Sequence, residues 1–257
     1  MSTPTKRPNR WPPRAGSAPG SPRVQAPSSS VFSRRASIGS RTLCFDSRRK
    51  LLPGITIPLR SMLVATSEQQ LLISPVCTAE EASQIGTEPL AVIAPNLLHH
   101  LHLATAIERY RPVALWGPPG LAERKPELGR VYMFGIDAWP YDDLLELVII
   151  DGAPIRNEVV FFHRASRTLY TADLFFHIRE PEGWLAPLAF RMMGIYRRFA
   201  TAKVWRRWVT DRTAFMRSID EILAWDFDRI VMAHGDVIDR DAREQFEAAL
   251  REVHLFA

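Results

Sequence analysis

Cysteine is nearly missing: Cys44 and Cys77 are the two in 257 residues, and two thiols cannot build the disulfide framework that small secreted domains depend on. A reducing, intracellular setting is the expectation, with Cys77, which follows an apolar run, as a small core residue. Glycine is sparse as well, at 13. No GxxxxGKS/T loop and no GxGxxG turn after a strand is present, which removes the common phosphate-cradling nucleotide sites. The chain has no GxSxG elbow for a serine hydrolase, no CxxC pair for a zinc ribbon, and no repeat of about 20 to 50 residues for a solenoid or propeller. It also lacks a secretory apolar segment ahead of the domain and any run of about 20 apolar residues that would span a bilayer. A soluble protein is expected.

Acidic residues are missing from the first 45 positions. Residues 1–50 hold 11 Lys/Arg against the single acid Asp46, whereas residues 51–257 hold 22 bases and 27 acids. The net charge of +5 therefore says nothing about nucleic-acid binding by the folded body, and none is expected. Rich in Pro, Ser and Arg and without apolar periodicity, residues 1–50 cannot bury enough surface to offset their ordering entropy and are expected to be disordered. An Arg- and Ser-rich, acid-poor segment also fits an organelle-targeting peptide.

The folded domain is expected over residues 51–257. ITIPLRSMLVAT and QLLISPV read as two strands around the Ser67–Gln69 turn, and Thr78 with Glu81 has the spacing of a capping box. LAVIAPN (90–96) reads as a buried strand, HHLHLATAIERY (99–110) as an amphipathic helix, and VALWG as a further strand stopped by Pro118-Pro119. LELVIID (145–151) and a hairpin of EVVFFHR and TLYTADLFF across Ala165-Ser166 follow. A helical insertion of about 178–225 comes next, with Asp211 as an N-cap, then the strand RIVMAHG (229–235) and a C-terminal helix begun by Asp239 or Asp241. Interleaved strands and helices define an α/β layered domain.

Three strands end in residues that bind metals: His99-His100, Asp173 and His234-Gly235. Strand ends hold side chains rigidly and can bring distant positions to one rim. Imidazole and carboxylate suit zinc, iron and manganese. Each position has a plainer reading: His99 and His100 at a helix start, Asp173 paired with backbone N–H groups or an Arg, His234 at a turn that Gly235 permits. His177 is a reserve ligand, and His163 and His254 are expected at the surface.

The same stretches resemble the metallo-β-lactamase fold, a four-layer αβ/βα sandwich whose metals lie along one edge where strands end. VIAPNLLHHLHLATAIERY resembles its THxHxDH segment, Asp151-Gly152-Ala153-Pro154 stands where GHT is expected, TLYTADLFF carries the bridging Asp, and IVMAHGD the final His. The resemblance runs over about residues 55–250. It implies that Pro95, Leu97 and Ala153 replace the histidines of the first metal, while His100, Asp173 and His234 remain at the second, with His99 in place of its Asp. One divalent ion is implied, zinc foremost, on His99, His100, Asp173 and His234. A second register places His100 and His102 on the HxH pair. The APNxxHHL, GPPGLAERKPEL, TADLFF and AHGD stretches are similar to a subgroup described only as a domain of unknown function.

The implied activity is that of a metal-dependent hydrolase acting on an ester, thioester, amide or phosphoester of a small molecule. Asp173 would orient water and His234 would fix geometry. The alternative is a non-catalytic scaffold that binds a partner or a membrane surface through the cationic, aromatic segment Trp184–Trp208. Within it, Leu185, Leu188, Met192 and Ile195 have the spacing of a core-facing helix stripe.

Overall fold

The structure, a computed structural model, describes residues 41–88 and 90–255. Disorder of the first 40 residues thus lies outside the described residues, but the expected boundary at residue 50 is corrected. Arg41–Leu52 form strand β1, antiparallel to β2 (Ile55–Ala65) from the pair Arg41↔Ala65 to Leu52↔Ile55. Only Phe45 of this strand is buried. An edge strand of mostly charged and polar residues guards against sheet-to-sheet aggregation, and it reads like a tail in sequence.

From β2 the chain alternates strands and helices: β3 (Gln70–Ile73), α1 (Ala79–Gln84), β4 (Leu90–Ile93), α2 (Leu103–Tyr110), β5 (Val113–Gly117), α3 (Leu121–Arg124) and β6 (Tyr132–Met133). Strands β1 to β6 form one sheet in sequence order, antiparallel up to β3 and parallel beyond it. A second sheet has the order β12-β9-β8-β7, built from β7 (Glu146–Ile149), β8 (Val159–His163), β9 (Thr168–Thr171) and β12 (Arg229–Met232). Between β9 and β12 lie β10 (Phe176–His177), α4 (Ala186–Met193), β11 (Phe199–Ala200), α5 (Trp205–Trp208) and α6 (Arg212–Leu223), and α7 (Ala242–Glu252) ends the described chain. The expected insertion of about 178–225 thus contains three helices and also β11, whose partner β10 lies just ahead of it. No helix among the described residues is long and apolar enough to cross a membrane.

Strand alternation explains the layers. Met62 and Val64 of β2, Leu71 and Ile73 of β3, and Phe161 and Tyr170 from the other sheet share one core between the sheets. The intervening residues Leu63, Leu72 and Val92 pack outward against Leu103 and Ala106 of α2, and Val160, Phe162 and Leu169 pack against Phe215, Ile219 and Phe246 of α6 and α7. Both faces of each sheet are therefore buried, which is why these strands read as unbroken apolar runs. Trp116 anchors the inner core against the edge of Trp139, with ring centroids 4.9 Å apart, a contact of about 0.5–1.5 kcal/mol beyond area burial.

Local expectations fare unevenly. Thr78 caps α1 by accepting from the Glu81 N–H, but Glu81 does not close a capping box. Its fully buried carboxylate accepts from the Val76 and Cys77 N–H groups, Ser61 Oγ and Tyr110 Oη, tying α1 to β2 and α2. Cys77 is half-buried at positive φ rather than in the core, and burial pushes its thiol up to about 11. Asp211 caps α6 through the Ala214 N–H. The helix expected from residue 99 starts at Leu103, and residues 97–102 form a turn instead. His163 is buried, not at the surface, with Nδ1 against Ser166 Oγ at 2.7 Å, whereas His254 is exposed. Ile195 is in the core as expected, but Leu188 and Met192 face outward, because α4 lies on the body through Ala186 and Phe190.

Candidate metal centre

Three strand ends supply one cluster. Strands β9 and β12 are parallel neighbours with Thr171 opposite Met232, so two residues later Asp173 and His234 leave the sheet side by side. His99 arrives from the other sheet, six residues past the end of β4. One ligand atom from each of His99, Asp173 and His234 lies within 4.8 Å of the other two. Asp173 Oδ1 is 3.2 Å from His234 Nε2 and 3.8 Å from His99 Nε2, and the imidazole centroids are 5.1 Å apart.

Surrounding hydrogen bonds aim these atoms. His234 Nδ1 donates to the Pro58 carbonyl at 2.9 Å. A carbonyl only accepts, so Nδ1 carries a proton and Nε2 is the ring nitrogen turned to the cluster. Its ring stacks on Phe176 at 5.2 Å. His99 Nδ1 pairs with Ser74 Oγ at 2.7 Å, which holds the orientation of the second ring. Burial pushes the His99 pKa down, against the opposing pull of Asp173. Burial alone would raise the Asp173 carboxyl, but the two imidazoles overcome it and hold the group well below its usual range.

Asn96, Arg156 and Glu158 complete the site, and the sequence reading missed all three. Asn96 Oδ1 accepts from the Leu98 and His99 N–H groups and shapes the turn that carries His99. Its Nδ2 donates to Asp173 Oδ2 at 2.9 Å and Glu158 Oε2 at 3.2 Å. Glu158 is fully buried and accepts the N–H groups of Ala172, Asp173 and Leu174. Burial and the neighbouring Asp173 charge nevertheless push it up to about 7. Arg156 places Nη1 3.4 Å from Asp173 Oδ2 and stacks its guanidinium 3.7 Å above the Trp208 ring. Its Nε and Nη1 are buried without a hydrogen-bond partner among the described residues. An Asn at the end of a strand and a Glu opening the apolar run EVVFF were the available signals; Arg156 had none.

Asp173 therefore divides its oxygens: Oδ2 faces Asn96 and Arg156, and Oδ1 faces both imidazoles. Of the expected ligands, His100 stays outside the cluster, because its Nδ1 turns back to the Leu97 carbonyl at 3.0 Å. It still lines the same cleft, as does His102. The reserve ligand His177 is also outside, donating to the Asp236 carbonyl at 3.1 Å. Pro95, Leu97 and Ala153 are buried.

The cluster lies in a cleft of about 400 Å³ whose walls include Ile57, Leu59, Val76, Phe176 and Met193 beside the polar residues. That volume suits a small molecule. A larger groove of about 810 Å³, lined by Asp46, Arg60, His177, Arg179 and Asp236 among others, reaches Gly235 but is lined by none of the three cluster residues. Its charges are largely paired, Arg60 with Asp46 and Arg179 with Asp236.

The fold is metallo-β-lactamase-like. A metallo-β-lactamase from Pontibacter korlensis superposes with a TM-score of 0.55 at 17% identity, covering 84% of this chain and 97% of the other. One from Erythrobacter litoralis gives 0.52 at 18% identity, covering 82% and 92%. The metal-soaked flavodiiron core of a Synechocystis protein gives 0.58 at 13% identity, covering 82% and 58%. No protein-family model matches the chain and no curated protein sequence matches it.

Proposed function

We propose that the protein is a metal-dependent hydrolase-like enzyme with a mononuclear centre on His99, Asp173 and His234, acting on an ester, thioester, amide or phosphoester of a small molecule. The convergence of these three side chains in one cleft carries the reading. Tetrahedral bonds of about 2 Å put donor atoms roughly 3.3 Å apart; the two separations to Asp173 are 3.2 and 3.8 Å, and all three atoms lie within 4.8 Å of one another, so an ion would draw the imidazoles inward. Both imidazoles are braced from behind, as metal-binding histidines usually are, and Oδ1 of Asp173 is the oxygen left for an ion. Zinc suits this donor set best; iron and manganese suit it too.

When bound, such an ion supplies Lewis acidity that polarises a carbonyl or phosphoryl oxygen and acidifies water. Three protein ligands leave a position open, as catalytic sites require; with His100 outside the set, a purely structural ion is the weaker reading. Asp173 would orient water through the same carboxylate, and His234 would fix its position. Arg156, which lines the cleft with Nη1 beside Asp173 and its plane held by Trp208, would stabilise negative charge on the substrate. The buried Pro95, Leu97 and Ala153 support one ion rather than two.

The test is a panel of ester, thioester, amide and phosphoester substrates with the untagged protein in the presence of zinc, manganese or ferrous iron. Hydrolysis of one class, abolished by chelation and by Asp173→Ala and cut at least tenfold by Arg156→Met, is expected. Loss of metal binding in no variant, together with no turnover in any class, would leave the scaffold reading in its place.

A further inference from the structure

Nine large apolar side chains are exposed among the described residues, and seven of them belong to the β1-β2 tip, the turn that carries His99 and the stretch Trp184–Met192. Leu51, Leu98 and Leu101 form part of its wall. Leu52 extends the tip of the β1-β2 hairpin. Trp184, Leu188 and Met192 follow at four-residue intervals, with Trp184 77% and Met192 72% exposed, and Met193 beside them lines the cleft. The hairpin tip and the start of α4 are joined. The Gly54 carbonyl accepts from the Leu185 and Ala186 N–H groups, and a Cβ at Gly54 would lie 2.5 Å from Trp184 Nε1. These residues therefore form one continuous apolar face, larger than scattered surface leucines explain.

Its charge tells what covers it. Arg48, Arg49 and Lys50 precede the two tip leucines, and all three are exposed. Arg48 is paired with Glu182, but Arg49 and Lys50 make no ion pair among the described residues, and Arg191 on α4 stacks on Tyr196 without a carboxylate partner. A second copy seated on this face would bring two like-charged rims together, which disfavours association. Apolar side chains, an exposed tryptophan and unpaired bases around them match an anionic lipid surface.

We propose that the β1-β2 tip and the outer face of α4 dock on anionic membranes, setting the mouth of the cleft against the lipid. The proposal is independent of the metal reading, so the experiment uses the full chain stripped with chelator. Sedimentation with phosphatidylcholine vesicles containing phosphatidylserine should capture the protein, pure phosphatidylcholine should capture less, and added salt should weaken capture. A blue shift of tryptophan emission on binding should shrink in Trp184→Phe. The pairs Leu51→Glu with Leu52→Glu and Leu188→Glu with Met192→Glu should each lower partitioning at least tenfold, while Ile136→Glu, at an exposed apolar residue outside the face, should not. All these substitutions are at exposed positions, and unchanged thermal melting would confirm folding.

Wild-type protein that does not sediment, or pair variants that bind as wild type does through some other part of the chain, would overturn the proposal. So would a dimer in sedimentation velocity that the Leu188→Glu, Met192→Glu pair dissociates in a chain that ignores vesicles; that result would assign the face to a second copy.

Discussion

Asn96 is fully buried, and its side chain has no idle atom: Oδ1 takes two N–H groups of the His99 turn while Nδ2 links Asp173 to Glu158. Asn96→Ala removes these bonds and leaves two carboxylates facing each other without the amide between them. A loss of about 2–4 kcal/mol in urea denaturation is expected, together with weaker metal binding. Asn96→Asp, nearly the same shape, should be worse because it places a third acid beside Asp173 and Glu158. Equal stability of Asn96→Ala and wild type would contradict the role given to this residue. Asp173 and His234 were legible in sequence because each closes an apolar strand, where a polar group needs a reason. His99 was legible but was named together with His100, since sequence does not say which of two adjacent histidines turns inward. The Asn96 turn decides that, and it depends on Asp173 and Glu158, residues 77 and 62 positions away.

Among the elements, the loop after β12 constrains the site most tightly. Gly235 has φ +115°, and a Cβ there would lie 2.1 Å from the His177 carbonyl oxygen. His177 N–H donates to the His234 carbonyl and Asp236 N–H to the His177 carbonyl, so the backbone approaches too closely for any side chain. Gly235→Ala should therefore shift His234, costing about 2 kcal/mol or more and most of the metal affinity. Gly129→Ala, also at positive φ but with nothing within 4 Å of the added Cβ, should cost about 1–3 kcal/mol through its backbone conformation alone and leave metal binding intact. Thermal melts and metal titrations of both variants separate the two effects; equal outcomes would contradict the close-approach argument. Strands β3, β4, β5, β8, β9 and β12 were readable because nearly all their residues are buried and their apolar runs are continuous. The α4 stripe was misassigned because helical periodicity shows a face but not which way it points: Leu188 and Met192 repeat as regularly as Ala186 and Phe190 do.

For the molecule as a whole, the position of β1 matters most. Residues 1–40 hold seven bases and no acid, but Arg48, Arg49 and Lys50, grouped with them by composition, lie on a strand paired along its length with β2. Composition separates charged from apolar segments and has no access to pairing, which is why an exposed edge strand was taken for tail. A chain beginning at Leu51 should melt well below one beginning at Arg41, because β2 loses its partner and the buried Phe45, whose removal alone is worth about 3 kcal/mol or more; coincident melting would place the boundary back at residue 50. The order of strands and helices was enough to suggest the metallo-β-lactamase-like fold, whereas the contents of the site follow from how its two sheets face each other.

The account rests on one ion held by three residues, and elemental analysis of the purified, untagged protein tests this most directly. The wild type and His100→Ala should each carry about one divalent ion per chain, and His99→Ala, Asp173→Ala and His234→Ala should carry little or none. Wild-type protein that is metal-free and cannot be reconstituted, or a His100→Ala variant that loses its ion while His99→Ala keeps it, would contradict the account.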